Sequence, residues 1–342
     1  MKGFSAALRE VRVLTEALIQ ELKSADDILV VGHIMPDGDD VSSVLSLTEA
    51  LRRLGKEAIP AIDWKIPWIF KDLEETSEIV DYEGFIASGF KPQLMVIVDV
   101  SSPDRIGRFK ELVGKVKSIV VDHHTTHDHF TDLWWVDPSF GACAQMILRI
   151  NEALGVNYDE KLATLNLMGI LTDTGFLRFP NADVRVYEDA TRLVRSGAKP
   201  HKISQMILEN KRLEQFRLFA EVLENLKLEV DGLLAYSYIT QEMYRKHGCT
   251  DEDSSGFVHE IRSIRGVEVA VMFMEIRPNL VHVSMRSKEW FDLASFARKI
   301  GGGGHPRAAG ATIQGKKVED VIKNVVPLLV KELSSTLKER TG

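Results

Sequence analysis

Three short apolar runs in this 342-residue chain end in the same kind of chemistry. DDILVVGH (26–33) runs into His33 and then IMPDGDD, which supplies Asp37 and Asp39. LMVIVDV (94–100) carries Asp99, and SIVVDHH (118–124) ends in Asp122, His123 and His124. A further acid, Asp173, closes the apolar stretch DEKLATLNLMGILTD. Continuous apolar runs of this length read as strands buried on both faces. In open α/β sheets, ligands bind beyond the carboxyl ends of such strands, so these residues are expected to converge although they are far apart in sequence. Carboxylates packed together without partners are costly, and a cation is the usual remedy. Carboxylates with a minority of imidazoles suit a hard-to-borderline divalent ion, Mn²⁺ first, with Mg²⁺ or Co²⁺ as alternatives. The donors exceed the needs of one octahedron. That suggests two divalent metal ions bridged by a shared carboxylate, a device that activates water against a phosphoryl centre.

The elements that must position these groups alternate. An amphipathic helix is expected over 5–24, with Val13, Leu14, Leu18 and Leu22 near one stripe. Helices follow over 39–55, 142–155 and 159–175, the first two closed by Gly55 and Gly155. Strand–helix alternation predicts an α/β domain with a mostly parallel sheet flanked by helices. After about residue 195 the pattern changes. RSGAKPHK reads as a connection and 203–228 as largely helical. LLAYSYI (233–239), VEVAVMFMEI (267–276) and LVHVSMRS (280–287) then read as strands, the last two joined by a turn at Arg277-Pro278-Asn279. The expected organisation is a catalytic domain over 1–195, a helical linker over 196–228 and a smaller α+β domain over 229–342.

A chain of 342 residues exceeds one comfortable core. The net charge of −7 argues against a protein that coats long duplex nucleic acid, but leaves room for an anion at a locally basic pocket. The two cysteines, Cys143 and Cys249, are far apart, which excludes a thiolate zinc site and fits the reducing cytoplasm. The N-terminus has no apolar core of signal-peptide type, and no run reaches a membrane span.

The second domain has its own candidate. GGGGHPRAAG (301–310) costs backbone entropy, and its use would be close approach to a ligand with N–H groups turned toward an anion. His305 and Arg307 follow the glycines directly, and Arg286 ends the preceding strand. His127 and His129 read as solvated loop residues, and Trp134 and Trp135 as core or interface. Arg105 and Cys143 carry no assignment.

In this order, H-x-x-P-D-G-D (33–39), V-D (98–99), D-H-H (122–124) and T-D-T-G (172–175) resemble the DHH phosphoesterase superfamily. R-S…G-G-G-G-H…A-A-G (286–310) resembles that family's DHH-associated C-terminal domain. Length and the lack of extra domains resemble the bacterial nanoRNase group, whose members often also dephosphorylate 3′-phosphoadenosine-5′-phosphate. The resemblance implies that His33, Asp37 and Asp99 hold one metal and that Asp39, Asp99, His123 and Asp173 hold the other. It implies that His124 faces the substrate phosphate, with Asp122 orienting a histidine ring. It further implies that Arg286, Gly303, Gly304 and His305 grip the nucleotide or its terminal phosphate, and that the protein is a homodimer. One departure is visible. The family pattern PDGDxxGS reads PDGDDVSS here, which puts Ser42 where glycine is usual and where a close helix–strand contact is expected.

The function so implied is metal-dependent hydrolysis of short RNA oligonucleotides, linear or cyclic dinucleotides and nucleotide bisphosphates, held across an interdomain cleft. The competing readings are an inorganic pyrophosphatase or polyphosphatase, which has no nucleoside for the GGGGH element to hold, and a non-catalytic nucleotide-binding module.

Overall fold

The computed structural model describes residues 16–341, with the side chains of His305 and Thr341 outside that description. The chain divides into two compact units, the first ending at Asn210 and the second beginning at Lys211. Residues 16–24 form helix α1, and the part of the expected helix before Glu16, with Val13 and Leu14, lies outside the described residues.

In the first unit, β1 (Asp27–Val31), α2 (Gly38–Arg53), β2 (Glu57–Ala61), α3 (Tyr82–Ser88), β3 (Leu94–Val98), β4 (Lys117–Asp122) and β5 (Leu133–Val136) come first. They are followed by α4 (Cys143–Ala153), α5 (Glu160–Asp173), α6 (Val184–Arg195) and α7 (Pro200–Leu208). The sheet has five strands in the order β2-β1-β3-β4-β5, and every pair is parallel. Strand pleating sends alternate side chains to opposite faces, and both faces are buried. Ile28, Val30, Val96, Val98, Ile119 and Val121 join the core under α2, α4 and α5. Leu29, Val31, Met95, Ile97 and Val120 pack with Phe85, Ile106 and Phe109 on the other side. The order reverses at β1, which lies between β2 and β3. The carboxyl end of β1 and β3 is therefore a topological switch point, where a crevice opens.

The second unit contains α8 (Leu213–Glu224), β6 (Lys227–Glu229), β7 (Leu234–Ile239), α9 (Gln241–His247), α10 (Phe257–Ser263), β8 (Val269–Arg277) and β9 (Leu280–Ser287). These are followed by α11 (Leu293–Lys299), β10 (Gly303–His305), β11 (Ala308–Gln314) and α12 (Val318–Thr341). The six-stranded sheet runs β10-β11-β9-β8-β7-β6; β7 and β8 pair parallel and the other pairs are antiparallel. One face packs Val271, Phe273, Val283 and Met285 against Phe296 and the α12 residues Val321 and Leu329. The other packs Ala235, Ala270 and Met272 against α8, α9 and α10.

The glycine run is not an open loop. Gly301 has φ +79 and ends α11, while Gly302 and Gly304 lie against β11, where a Cβ would collide with the carbonyls of Gly310 and Ala308 respectively. Two of the four glycines thus serve the chain's own hairpin, and at Gly301 and Gly303 a Cβ would meet nothing within 4 Å. The sequence reading took the whole run as ligand-facing. Arg307 also turns inward, donating from Nη1 to the Phe291 carbonyl at 2.9 Å.

Candidate functional site

Three loops leave the switch-point edge of the first sheet and carry the polar residues together. After β1, Asp37 caps α2: its Oδ1 accepts the Asp39 and Asp40 N–H groups at 3.0 and 3.1 Å. That turn sends Asp39 into the interior, where it is 1% exposed. After β3, Asp99 adopts φ +59, a left-handed conformation that aspartate tolerates better than most residues. Its N–H still donates to the Val121 carbonyl at 2.9 Å, so the ladder closes while the side chain is redirected. After β4 come His123 and His124, and Asp173 is the last residue of α5.

His123 lies at the centre. Its Nε2 is 3.8 Å from Asp39, 3.5 Å from Asp99 and 3.6 Å from Asp173. On the far side of the ring, Nδ1 is 3.3 Å from the Phe140 carbonyl, an acceptor that keeps the proton on Nδ1 and turns Nε2 to the acids. His33 also turns Nε2 toward an acid, 3.8 Å from Asp99, with its Nδ1 2.9 Å from the Ile34 carbonyl. One donor atom each from His33, Asp37 and Asp99 lie within 4.8 Å of one another, as do those from Asp39, His123 and Asp173, and from Asp99, His123 and His124. All six residues expected as metal ligands are brought together.

The electrostatics call for a cation. Burial, then the charges of Asp99 and Asp173, push the Asp39 carboxyl well up. Burial raises Asp173 to about 7, with Asp37 and Asp99 adding to it and His123 opposing. Burial also works to raise Asp99, but the His123 hydrogen bond and the charges of His124, His123 and His33 outweigh it and hold Asp99 low. Asp99 Oδ1 is buried, with the His123 and His124 nitrogens 3.5 and 3.7 Å away, near enough for a cation to be shared among them. Four carboxylates and two imidazoles fit divalent cations.

Asp122 is fully buried and not among the clustered donors. Its Oδ1 lies 2.6 Å from His124 Nδ1. Burial opposes ionisation of Asp122, but the His124 hydrogen bond and the neighbouring His127 imidazole hold its carboxyl far below the usual range. In turn, burial lowers His124, and the Asp122 bond and Asp99 overcome that to raise it to about 9. His127 corrects the sequence reading. Its side chain is 3% exposed and its Nδ1 is 3.5 Å from Asp122 Oδ2, so it is a buried neighbour of Asp122 rather than a solvated loop residue. His129 is exposed, as expected.

Other residues were missed altogether. Arg105 Nη2 is 3.0 Å from His33 Nδ1. Asp40 is fully buried and accepts the His33 N–H at 2.9 Å. Both Asp39 oxygens receive backbone donors, from Cys143 N at 2.6 Å and Ala144 N at 2.9 Å. Asp39 therefore caps α4 from a distant part of the chain, and Ala142 at the N-cap has no side chain to do so. Only the adjacency of Ala142 and Cys143 to a helix start could have pointed to this.

Ser42 turns out to be buried in a helix–helix contact, not a helix–strand one. Its Oγ donates to the Leu165 carbonyl on α5 at 2.5 Å. The glycine that this contact needs is on the facing helix. A Cβ on Gly169 would sit 2.6 Å from Ser42 Oγ and Ala144 Cβ and 2.7 Å from Asp39 Oδ1. Gly169→Ala is expected to destabilise the protein by about 1–3 kcal/mol through overpacking and to shift Asp39, so that melting temperature and metal affinity fall together. An unchanged melt and unchanged Mn²⁺ binding would contradict this packing.

In the second unit Arg286 is the notable charge. Its Nε–H donates to His259 Nε2 at 3.1 Å and its Nη1 to the Met285 carbonyl at 2.9 Å. Burial, then the charge of Arg262, push it down to about 10. A half-buried guanidinium with no carboxylate among these contacts is suited to an anion. Gly303, Gly304 and His305 form β10, paired with β11 at Ala308–Gly310. β11 pairs with β9 so that Ala308 faces Arg286. The side chain of His305 lies outside the described residues.

Residues 27–170 match the model of the DHH family N-terminal domain, and residues 233–338 match that of the DHHA1 domain. The bifunctional oligoribonuclease and PAP phosphatase NrnA of Thermus thermophilus is 34% identical over 310 residues, 90% of this chain and 90% of that protein. The protein of the same name from Bacillus subtilis is 29% identical over 322 residues, 92% of this chain and 98% of its own length. An exopolyphosphatase-related protein from Bacteroides fragilis has the same fold, with a TM-score of 0.88 at 23% identity, covering 96% of this chain and 98% of that one.

Proposed function

The chain belongs to the DHH family, and from that premise we propose that it is a metal-dependent phosphoesterase acting on short oligoribonucleotides, dinucleotides and 3′-phosphoadenosine-5′-phosphate. The observation that carries this reading is the set of carboxylates and imidazoles gathered at the switch point of the first sheet. Its relatives of known name, oligoribonuclease and PAP phosphatase, are similar over nine-tenths of their length. Two cations, Mn²⁺ first, fit the donor set: His33, Asp37 and Asp99 for one, and Asp39, Asp99, His123 and Asp173 for the other. When bound they supply Lewis acidity at the phosphoryl oxygens and an activated water.

The chain's own residues do the rest. The Phe140 carbonyl keeps the His123 proton on Nδ1, and Arg105 and the Ile34 carbonyl hold the His33 ring from its Nδ1 side. Asp122 holds His124 at Nδ1 and favours its protonated form; in that form its Nε2–H donates to a phosphate oxygen as charge builds there. In the second unit Arg286, with Gly303, Gly304 and His305, grips a nucleotide or its terminal phosphate, which favours short substrates. The two cysteines are buried and free, and no described helix is long and apolar enough to cross a membrane; we place the protein in the cytoplasm, and homodimer formation is part of the same reading.

A substrate panel tests the proposal: 5′-phosphorylated dinucleotides, cyclic dinucleotides, 3′-phosphoadenosine-5′-phosphate and pyrophosphate, each with Mn²⁺. Turnover of pyrophosphate with none of the nucleotides would replace this reading by a pyrophosphatase. No turnover of any substrate would leave a nucleotide-binding module. Arg286→Ala is expected to raise KM for the nucleotides about tenfold or more, the scale of a lost hydrogen bond to a charged group. Mn²⁺ affinity should stay unchanged.

A further inference from the structure

We propose that His259 is a positioning residue for Arg286, setting the guanidinium so that its Nη edge meets the anionic part of the substrate. The inference rests on the reading that Arg286 grips substrate, and adds the residue that aims it.

Helix α10 brings His259 to the end of β9. Gly256 precedes the helix at φ +90, and Phe257, Val258 and Ile261 bury one side against Ala270 and Met272. Helical spacing then puts His259 and Arg262, three residues apart, on one flank. That flank meets the end of β9. His259 Nε2 accepts the Arg286 Nε–H at 3.1 Å, and Arg262 Nη1 donates to the Ser287 carbonyl at 3.4 Å.

A guanidinium has five N–H donors in a rigid plane. Nε uses one on His259 and Nη1 uses one on Met285. Two bonds at different corners of a plane fix its rotation as well as its position. The remaining donors all belong to Nη1 and Nη2, the edge that matches two oxygens of a phosphate. Accepting at Nε2 requires His259 to be the neutral Nδ1–H tautomer, so the partner adds no charge of its own. A carboxylate in the same place would also hold the arginine, but it would neutralise the charge that the substrate needs. The choice of histidine thus orients Arg286 and leaves it a full cation, beside a second cation at Arg262.

The test uses the full chain loaded with Mn²⁺ and a 5′-phosphorylated diadenylate as substrate. His259→Leu keeps the bulk and removes the acceptor. It should raise KM about tenfold with kcat within about twofold and Mn²⁺ affinity unchanged. His259→Gln offers a side-chain oxygen at similar reach and should restore KM to within about threefold. A merely structural role would not produce that split or that rescue. Should the leucine variant fail to fold, His259→Asn, whose amide is too short to reach Nε, should give the same rise in KM. A parental KM in the leucine or asparagine variant, or no recovery in the glutamine variant, overturns the proposal. Arg286→Ala run alongside separates two failures. If it raises KM and His259→Leu does not, only the positioning role is lost. If it leaves KM unmoved, the substrate-gripping role of Arg286 has failed and the positioning role falls with it.

Discussion

Asp99→Asn should fold and bind substrate yet lose hydrolysis of every phosphate ester by about 10³-fold or more. Asp99 is the residue shared by the His33–Asp37 group and the His123–His124 group, and its oxygens lie 3.5 Å from His123 and 3.8 Å from His33. Removing its charge removes an anionic donor from both sides of the cluster. Charge stabilisation at a phosphoryl centre amounts to several kcal/mol, and each 1.4 kcal/mol is tenfold in rate. Asparagine is the informative variant because of the backbone. Asp99 has φ +59, and asparagine is among the few residues that accept that region readily. Asp99→Ala loses the same charge and must also hold a strained φ, so it should be equally inactive and less stable. Kinetics, metal content after gel filtration and thermal melts of both variants make the comparison. Full activity in either would refute a shared-carboxylate centre, and loss of activity with unchanged metal content would move Asp99 from metal ligation to another role.

The first unit was legible because its strands are unbroken apolar runs. Ile28–Val31, Leu94–Val98 and Ile119–Val121 need cover on both faces, and only a parallel sheet between helices provides it. β2 (EAIPA) and β5 (LWWV) were not legible. Both are edge strands, short and only partly buried, with Pro60 in β2 tolerated where an N–H bond is dispensable. In the second unit, β8 and β9 announced themselves by length and the turn at Asn279. The parallel pairing of β7 with β8 did not, since nothing local encodes strand order.

The site divides in the same way. Residues whose chemistry is in their side chains, at the ends of obvious strands, could be named: His33, Asp37, Asp39, Asp99, His123 and Asp173. Residues whose contribution depends on long-range placement could not. Arg105 reaches His33 only because the loop after β3 folds back, with the Ile34 N–H donating to the Arg105 carbonyl at 2.7 Å. The Cys143 and Ala144 N–H groups matter as backbone donors, which no residue type advertises. His127 is buried because its loop turns toward Asp122. The four-glycine run is legible only in part. Gly residues permit close approach, but the sequence does not say to what, and here Gly302 and Gly304 approach β11.

Metal binding should be strongly pH-dependent, and the direction follows from the raised groups. Without cations, burial, with Asp37 and Asp99 adding and His123 opposing, raises Asp173 to about 7. Asp99, Asp173 and Asp39 overcome burial to raise His123 well above 6.5. A ligating carboxylate must be ionised and a ligating imidazole neutral, so cation uptake expels protons. Mn²⁺ affinity should therefore rise about tenfold per pH unit for each proton released, from pH 6 toward 8. Stability of the metal-free protein should move the opposite way. The Asp173 contribution is full below its unfolded value of 3.8 and is lost as pH rises through about 7. The His124 contribution is full below 6.5 and is lost as pH rises through about 9. Asp122, held low, adds a contribution that is present above 3.8 and lost only in acid. The gap in melting temperature between Mn²⁺-loaded and chelator-treated protein should thus widen from pH 6 to pH 9. Calorimetric titrations in two buffers of different ionisation enthalpy should report at least one proton released per binding event near pH 7. A gap that stays constant across that range, or binding with no proton release, would mean that Asp173 and His123 are not the groups the cations displace protons from. The donor set would then have to be redrawn around Asp37 and Asp99.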